Sequence, residues 1–264
     1  MDFDYTNMDS QEILNFVFHP RQETMISNKD KEANSIMVPV SDGIAVHGMW
    51  FFKDKSAPTI LFFHGNGEIV SDYNDIGILY NRMDINFFIV DYRGYGRSQG
   101  RPTVTSMLKD SITIFDFVKK QLKEDEIKGP LIVMGRSLGS ASALEIASKY
   151  ENRFDGLIIE SGFAHTVPLF NLLSGVSSGG FKEKQGFHQI EKITSFTKPL
   201  LVIHSEYDHI IPYSDSEDLI SACKTEHKKH IKIPNANHNT IFQEGLSQYM
   251  EGVKNFITTL KDNK

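Results

Sequence analysis

Hydrophobic positions fall into two rhythms along the chain. Between residues 35 and 52 they form two β-rich runs, Ser35 to Val40 and Ile44 to Phe52, joined at Ser41-Asp42-Gly43. An Asp-Gly step between two such runs is a hairpin signal, so the runs are expected to pair antiparallel at one sheet edge. After that, short apolar runs alternate with longer amphipathic ones. Thr59 to Phe63, Asn86 to Val90, Leu131 to Met134, Leu157 to Ile159, Leu200 to His204 and His230 to Ile233 read as strands. Val70 to Arg82, Val104 to Leu122, Ser140 to Tyr150, Ser214 to Cys223 and Thr240 to Leu260 carry helical spacing. This alternation predicts an α/β fold: a mostly parallel sheet of about eight strands with helices on both faces. Upstream, Glu12 to Phe18 is apolar and ends at His19-Pro20, which predicts an entry strand or short helix; polar Gln22 to Ala33 reads as a loop.

Composition narrows the setting. With 264 residues, 40% of them hydrophobic, the chain can bury a large core, and residues 1–264 are expected to form one domain. The interior break in the pattern is Phe163 to Lys192, which holds Gly175, Gly179 and Gly180 and has room only for a short cap. A net charge of −6 leaves no basic face, which argues against nucleic acid or an anionic membrane as the main partner. The single cysteine, Cys223, rules out an intramolecular disulfide and fits a reducing compartment. The first residues, MDFDYTNMDS, lack the basic and apolar regions of a signal peptide, and no apolar run approaches the roughly 18 residues of a membrane helix. A soluble, cytoplasmic protein is expected; oligomeric state is not legible.

In such sheets ligands bind beyond the carboxyl ends of the strands. Five strand ends carry chemistry: His64 to Gly67 (HGNG), the run DYRGYGRSQG from Asp91, GRSLG around Ser137, SEYDHIIP with Asp208, and PNANHN with His238. The pattern G-x-S-x-G occurs three times, around Ser98, Ser137 and Ser177. Only Ser137 sits between a strand and a helix without spacers. There the turn must be sharp and strained, and Gly135 and Gly139 remove the side chains that would collide with it. The hydroxyl is then held at a helix N-terminus, where negative charge is favoured.

A serine nucleophile needs a base to take its proton and an acid to orient that base. Both follow, in the order Ser137, Asp208, His238. Glu206 and Asp215 compete with Asp208; Glu206 is close behind the strand, and Asp215 reads as the first turn of a helix. A tetrahedral oxyanion needs two backbone donors. Leu138 follows the nucleophile directly, and Asn66, with Gly67 next, lies in the glycine-rich loop after the Thr59 to Phe63 strand.

Together HGNG, DYRGYGRSQG, GRSLG, HSEYDHIIP and NANHN resemble the α/β-hydrolase superfamily, specifically the Bem46-like serine hydrolases and the α/β-hydrolase-domain-containing proteins 13 and 17, over roughly Phe16 to Leu260. The resemblance implies Ser137, Asp208 and His238 as a triad, Asn66 and Leu138 as oxyanion donors, and a structural, bracing role for Asp91 to Gly100. Relatives often carry a membrane anchor or a lipidated cysteine cluster near the N-terminus; neither is seen in this sequence, which argues against depalmitoylation at a membrane but not against acyl-ester chemistry. The expected function is a serine hydrolase of carboxylic esters or thioesters acting through an acyl-enzyme, with a small-molecule or acylated substrate. A peptidase or amidase using the same residues, and a non-catalytic binding protein on the same fold, are the alternatives. Phe163, Leu169, Phe170 and Leu172 are expected to line an open acyl pocket. No metal or cofactor is required. Cys223, His227 and His230 lack a nearby fourth ligand, and Lys228 and Lys229 lie between them, so they read as a solvated loop.

Overall fold

Eight strands are present in the computed structural model, which describes residues 2–23, 34–174 and 181–262: β1 Ser35–Pro39, β2 Ala45–Phe51, β3 Thr59–Phe63, β4 Asn86–Val90, β5 Leu131–Arg136, β6 Gly156–Glu160, β7 Leu200–Ser205 and β8 Lys228–Ile233. They form one sheet in the order β1-β2-β4-β3-β5-β6-β7-β8. β2 runs antiparallel to both its neighbours, and every pairing from β4 through β8 is parallel. At the hairpin, Asp42 and Gly43 both take positive φ (62° and 70°), the backbone that an Asp-Gly step supplies at low strain.

The parallel strands are buried on both faces, and their side chains alternate between two cores. Leu61, Phe63, Leu131, Val133, Leu157 and Ile159 face one core, while Ile60, Phe62, Ile132, Met134 and Ile158 face the other. The first face is covered mainly by α3 (Val104–Glu124) and α4 (Gly139–Tyr150). The second is covered by α2 (Asn74–Arg82) and α8 (Ile241–Asp262). In α3, Val104, Met107, Leu108, Phe115, Val118 and Leu122 recur at helical spacing on the buried side, and the Thr103 hydroxyl caps the first turn by accepting from the Ser106 N–H (3.0 Å). Exposed Lys228, Lys229 and Lys232 make the β8 edge a poor template for another strand.

Several boundaries differ from the sequence expectation. The entry segment is a helix, α1 (Gln11–Val17), capped by Ser10. Val70 to Arg82 is not one helix. Val70–Tyr73 is a 3-10 turn, because the Ile69 amide donates to Asp72 and the Val70 amide to Asp91 (2.9 Å), and α2 starts only at Asn74. β5 runs past Met134 to Arg136, since Gly135 and Arg136 continue the ladder against Ile159 and Glu160 of β6. α8 breaks its helical geometry at Gly245 (φ −136°), where a side chain would run into Ile233. The cap region contains α5 (Thr166–Ser174) and α6 (Gln189–Thr194), followed after β7 by α7 (Tyr213–Ala222). The glycines at 175, 179 and 180, Ser177, and most of the expected loop from Gln22 to Ala33 lie outside the described residues.

Asp91, directly after β4, braces three segments. Its carboxylate lies 3.2 Å from His47 Nδ1 of β2 and 3.3 Å from His64 Nε2, and accepts from the Val70 amide. Ser98, in the same loop, accepts from the His47 amide through its hydroxyl (2.8 Å), a structural bond that accounts for its burial.

Two stability results follow. Gly139 sits so close to β3 that an added Cβ would lie 2.1 Å from the Phe63 carbonyl oxygen, a backbone atom that cannot step aside. Gly139→Ala is expected to lower the unfolding free energy by about 1–3 kcal/mol or more in urea titration at unchanged m-value. Asp91 is a pH-linked case. Burial raises its pKa, but the contacts from His47 and His64 and the Val70 amide outweigh this and hold the carboxyl below its ordinary 3.8. A carboxyl depressed on folding stabilises the fold above 3.8, and that contribution disappears as pH falls through the lower folded value. The urea midpoint of the wild type is therefore expected to fall steeply on acidification below 3.8, with Asp91→Asn weaker at neutral pH and flatter in acid.

Candidate active site

β5 passes into α4 through one residue in the left-handed region, Ser137, at φ 51°. A non-glycine residue there is strained, and neighbouring contacts hold it. The Ser137 amide donates to the Glu160 carbonyl at the end of β6 (2.9 Å), and the Ser137 carbonyl accepts from the Ser140 amide (3.0 Å) and hydroxyl (2.6 Å). Gly135 permits the reversal: a Cβ on it would sit 2.2 Å from the Gly139 carbonyl oxygen. The seryl oxygen is thereby left at the N-terminus of α4, above the carboxyl ends of β3 and β6.

His238 reaches it from the loop after β8. Its Nε2 is 3.1 Å from Ser137 Oγ, and its Nδ1 is 2.7 Å from Asp208 Oδ2. The other Asp208 oxygen accepts from the amides of Ile210 (3.0 Å) and Ile211 (2.8 Å), which turns the carboxylate toward the imidazole. The loops carrying Asp208 and His238 are laced together by the Glu206 amide on the Ile233 carbonyl and the Tyr207 amide on the Ala236 carbonyl. Burial raises the Asp208 pKa, yet the hydrogen bond and charge of His238 and the Ile211 amide outweigh it, and the carboxyl lies below its ordinary range. Buried His204, also near Asp208, has its pKa lowered by burial and gives its Nε2–H to the Ile211 carbonyl (2.9 Å). The rival acids are spent elsewhere. Glu206 accepts from the Asn235 amide, and Asp215 accepts from the Ala164 amide at the start of the cap.

A cavity of about 240 Å³ opens beside Ser137, Leu138, Asn66 and His238. The Leu138 amide adjoins Ser137 at the start of α4, where first-turn amides have no intrahelical acceptor. Asn66 is anchored by its side chain: Oδ1 accepts from the His19 amide (2.8 Å) and the Tyr95 hydroxyl (2.7 Å), and Nδ2 donates to His19 Nδ1 (2.8 Å).

Of the four expected pocket residues, Leu169 and Phe170 line the cavity, and Phe163 and Leu172 do not. Phe163 is wholly buried behind Phe187, ring centroids 5.1 Å apart, so Phe187 holds the wall instead. On α5 the cavity-facing positions are 169, 170 and 173, one turn's spacing, which puts Leu173 in and leaves Leu172 52% exposed. Val17 of α1, and Ile210 and Ile211 beside Asp208, complete the apolar wall. No local signal marks these; they arrive from segments far apart in sequence.

Sequence reasoning also missed Arg136. Nearly buried, it donates from Nε to Glu160 (3.0 Å), from Nη1 to Glu68 and from Nη2 to the His238 carbonyl (2.7 Å). The residues weighed as a metal trio have separate duties. The Cys223 thiol is buried against the Phe196 carbonyl, its pKa raised by burial, and the His230 ring stacks on Tyr213 with Nε2 against the Ser216 hydroxyl. Among the described residues no group of three histidine, cysteine or acidic side chains is placed to hold a metal, and no helix is long and apolar enough to cross a membrane.

The family described as serine aminopeptidase, S33, matches residues 54–178, which contain the elbow and the loop after β3. Protein bem46 of Schizosaccharomyces pombe is 28% identical over 206 residues, covering 74% of this chain and 66% of that protein. Human alpha/beta hydrolase domain-containing protein 17B is 27% identical over 269 residues, 96% of this chain and 86% of that one. The esterase Pf2001 of Pyrococcus furiosus shares the fold at a TM-score of 0.72 and 17% identity, over 91% of this chain and 98% of the other. Sequence relatives and sheet converge on the α/β-hydrolase fold, and over most of its length this chain is similar to the Bem46-like and 17B-like α/β-hydrolase proteins.

Proposed function

We propose that the chain is a serine hydrolase that cleaves carboxylic esters or thioesters through an acyl-enzyme on Ser137. The observation that carries this reading is the imidazole of His238 lying between the Ser137 hydroxyl and the Asp208 carboxylate. In this mechanism His238 Nε2 takes the proton as Ser137 Oγ attacks the carbonyl carbon, and Asp208 holds Nδ1–H and offsets the imidazolium charge. The amides of Leu138 and Asn66 receive the oxyanion; a single donor of this kind is worth about 10²–10³ in rate. His238 then returns the proton to the leaving oxygen or sulfur. Water, deprotonated by the same imidazole, releases the acid and restores Ser137.

The described part of the cap, residues 163–174 and 181–192, covers the acyl end in this reading. A cavity of about 240 Å³ walled by Leu169, Phe170, Leu173 and Phe187 suits short to medium acyl chains. The same constellation supports an amidase, and the aminopeptidase description of the matching family favours that as a second reading. An aminopeptidase must hold a substrate ammonium near the scissile bond. Glu68, the carboxylate on the cavity, is already committed to Arg136, the Gly65 amide and the Tyr73 hydroxyl, which favours esters. A cytoplasmic enzyme with small-molecule or acylated substrates and no nucleic-acid partner belongs to the same proposal.

A fluorophosphonate probe should label the wild type and not Ser137→Ala; an unlabelled wild type would leave only a non-catalytic binding protein. Asp208→Asn is expected to lose about 10⁴-fold in kcat on p-nitrophenyl butyrate while remaining folded. Specificity constants across p-nitrophenyl esters should peak at short to medium chains and decline by palmitate. A steady rise out to palmitate contradicts the pocket assignment, and faster aminoacyl-anilide turnover would select the amidase reading.

A further inference from the structure

Arg136 takes no part in the chemistry just described, yet its three arms end on the parts of the site that must keep their distances. It directly precedes Ser137. Glu160, its partner on β6, also supplies the carbonyl that holds the Ser137 amide, and its second carboxylate oxygen accepts from the Tyr249 hydroxyl of α8 (2.7 Å). Glu68, its partner in the loop after β3, accepts through its other oxygen from the Gly65 amide (2.6 Å) and the Tyr73 hydroxyl (2.6 Å). The third arm holds the His238 carbonyl itself. One cation therefore ties together the nucleophile's turn, the loop carrying Asn66 and the loop carrying the base.

We propose that Arg136 is the positioning residue of this site, fixing the His238 loop and the Gly65–Asn66 loop relative to Ser137 so that proton transfer and oxyanion binding share one geometry. The proposal rests on the serine-hydrolase reading and deepens it. Only a guanidinium fits the task. It presents donors in a planar fork along three directions and stays charged, whereas an ammonium is a point charge that cannot serve all three acceptors. Burial pulls the Arg136 pKa down, but Glu68, Tyr73 and Glu160 outweigh this and hold it above its ordinary value, while Glu68 lies below its own. The ionised pair thus persists across the working pH range. Reacting groups misplaced by about 1 Å can lose on the order of 10²-fold in rate, which sets the scale of the effect.

The test measures kcat and KM on p-nitrophenyl butyrate for the wild type, Arg136→Lys, Glu68→Gln and Tyr5→Phe, with thermal melts of each. Tyr5→Phe is the control for general damage. It removes a buried hydrogen bond to Glu145 (2.6 Å) on α4, outside the site, and should lower Tm with kcat held within about threefold. Arg136→Lys should lose about 30-fold or more in kcat with KM within about threefold, and Glu68→Gln about tenfold. A folded Arg136→Lys with near wild-type kcat overturns the proposal, as does a loss confined to KM or a Tyr5→Phe whose kcat falls in step with its Tm. If Arg136→Lys does not fold, Glu68→Gln decides, and unchanged kcat there is fatal. Turnover by wild type and none by Ser137→Ala keeps the hydrolase reading intact whatever Arg136 does; no turnover by wild type removes both.

Discussion

The structure turns on one backbone constraint: a serine forced into the left-handed region where a parallel strand becomes a helix. Nothing intrinsic to Ser137 favours that conformation. Both faces of the junction impose it. β5 is pinned between β3 and β6, and α4 lies so close to β3 that residue 139 can carry no side chain. The strain is confined to the residue whose oxygen must stand clear of the sheet, and the rigid elements on either side keep it there.

Around that turn the protein places charge in an unusual amount for so apolar a centre. Glu160 and Asp91 are fully buried, and Arg136 and Asp208 nearly so, at or just beyond the ends of neighbouring strands. Each would be costly alone, and each is matched: Asp91 and Asp208 by a histidine and backbone amides, Glu160 by Arg136 and the Tyr249 hydroxyl, and Arg136 by two carboxylates and the His238 carbonyl. Their shared feature is reach. Asp91 joins β2 to the loop after β3, Asp208 joins the loops after β7 and β8, and Arg136 joins the elbow to both. A sheet of parallel strands fixes the strand ends but leaves the loops beyond them free to move. These buried polar contacts supply what the ladder cannot.

The apolar wall of the cavity has a different origin. It is assembled from α1, the α5 helix of the cap and the turn following Asp208, segments that meet only because each buries an amphipathic face against the same side of the sheet. The lining is therefore a by-product of packing: Val17, Phe170 and Phe187 are members of the hydrophobic core as well as of the cavity wall.

The sequence alone determined the architecture and pointed to the polar side chains that the structure brings together, Ser137, Asp208 and His238. Short unbroken apolar runs mark the doubly covered strands and 3.6-residue periodicity marks the helices, and Ser137, Asp208 and His238 each follow a strand at the end where such sheets bind ligands. Flanking pattern favoured Ser137 among the three G-x-S-x-G matches, and Asp208 was preferred to Glu206 for its distance from the strand and to Asp215 for that residue's place in the first turn of a helix. What only tertiary structure decided was every contact between segments remote in sequence. Phe163 and Leu172 looked like lining residues because they lie in the cap, but helix phase turned Leu173 inward and packing put Phe187 in front of Phe163. Arg136 carries no local mark within the G-x-S-x-G run. Its role depends on Glu68, 68 residues away, and on the His238 carbonyl, 102 residues away, and no local pattern encodes where a guanidinium fork will find its acceptors.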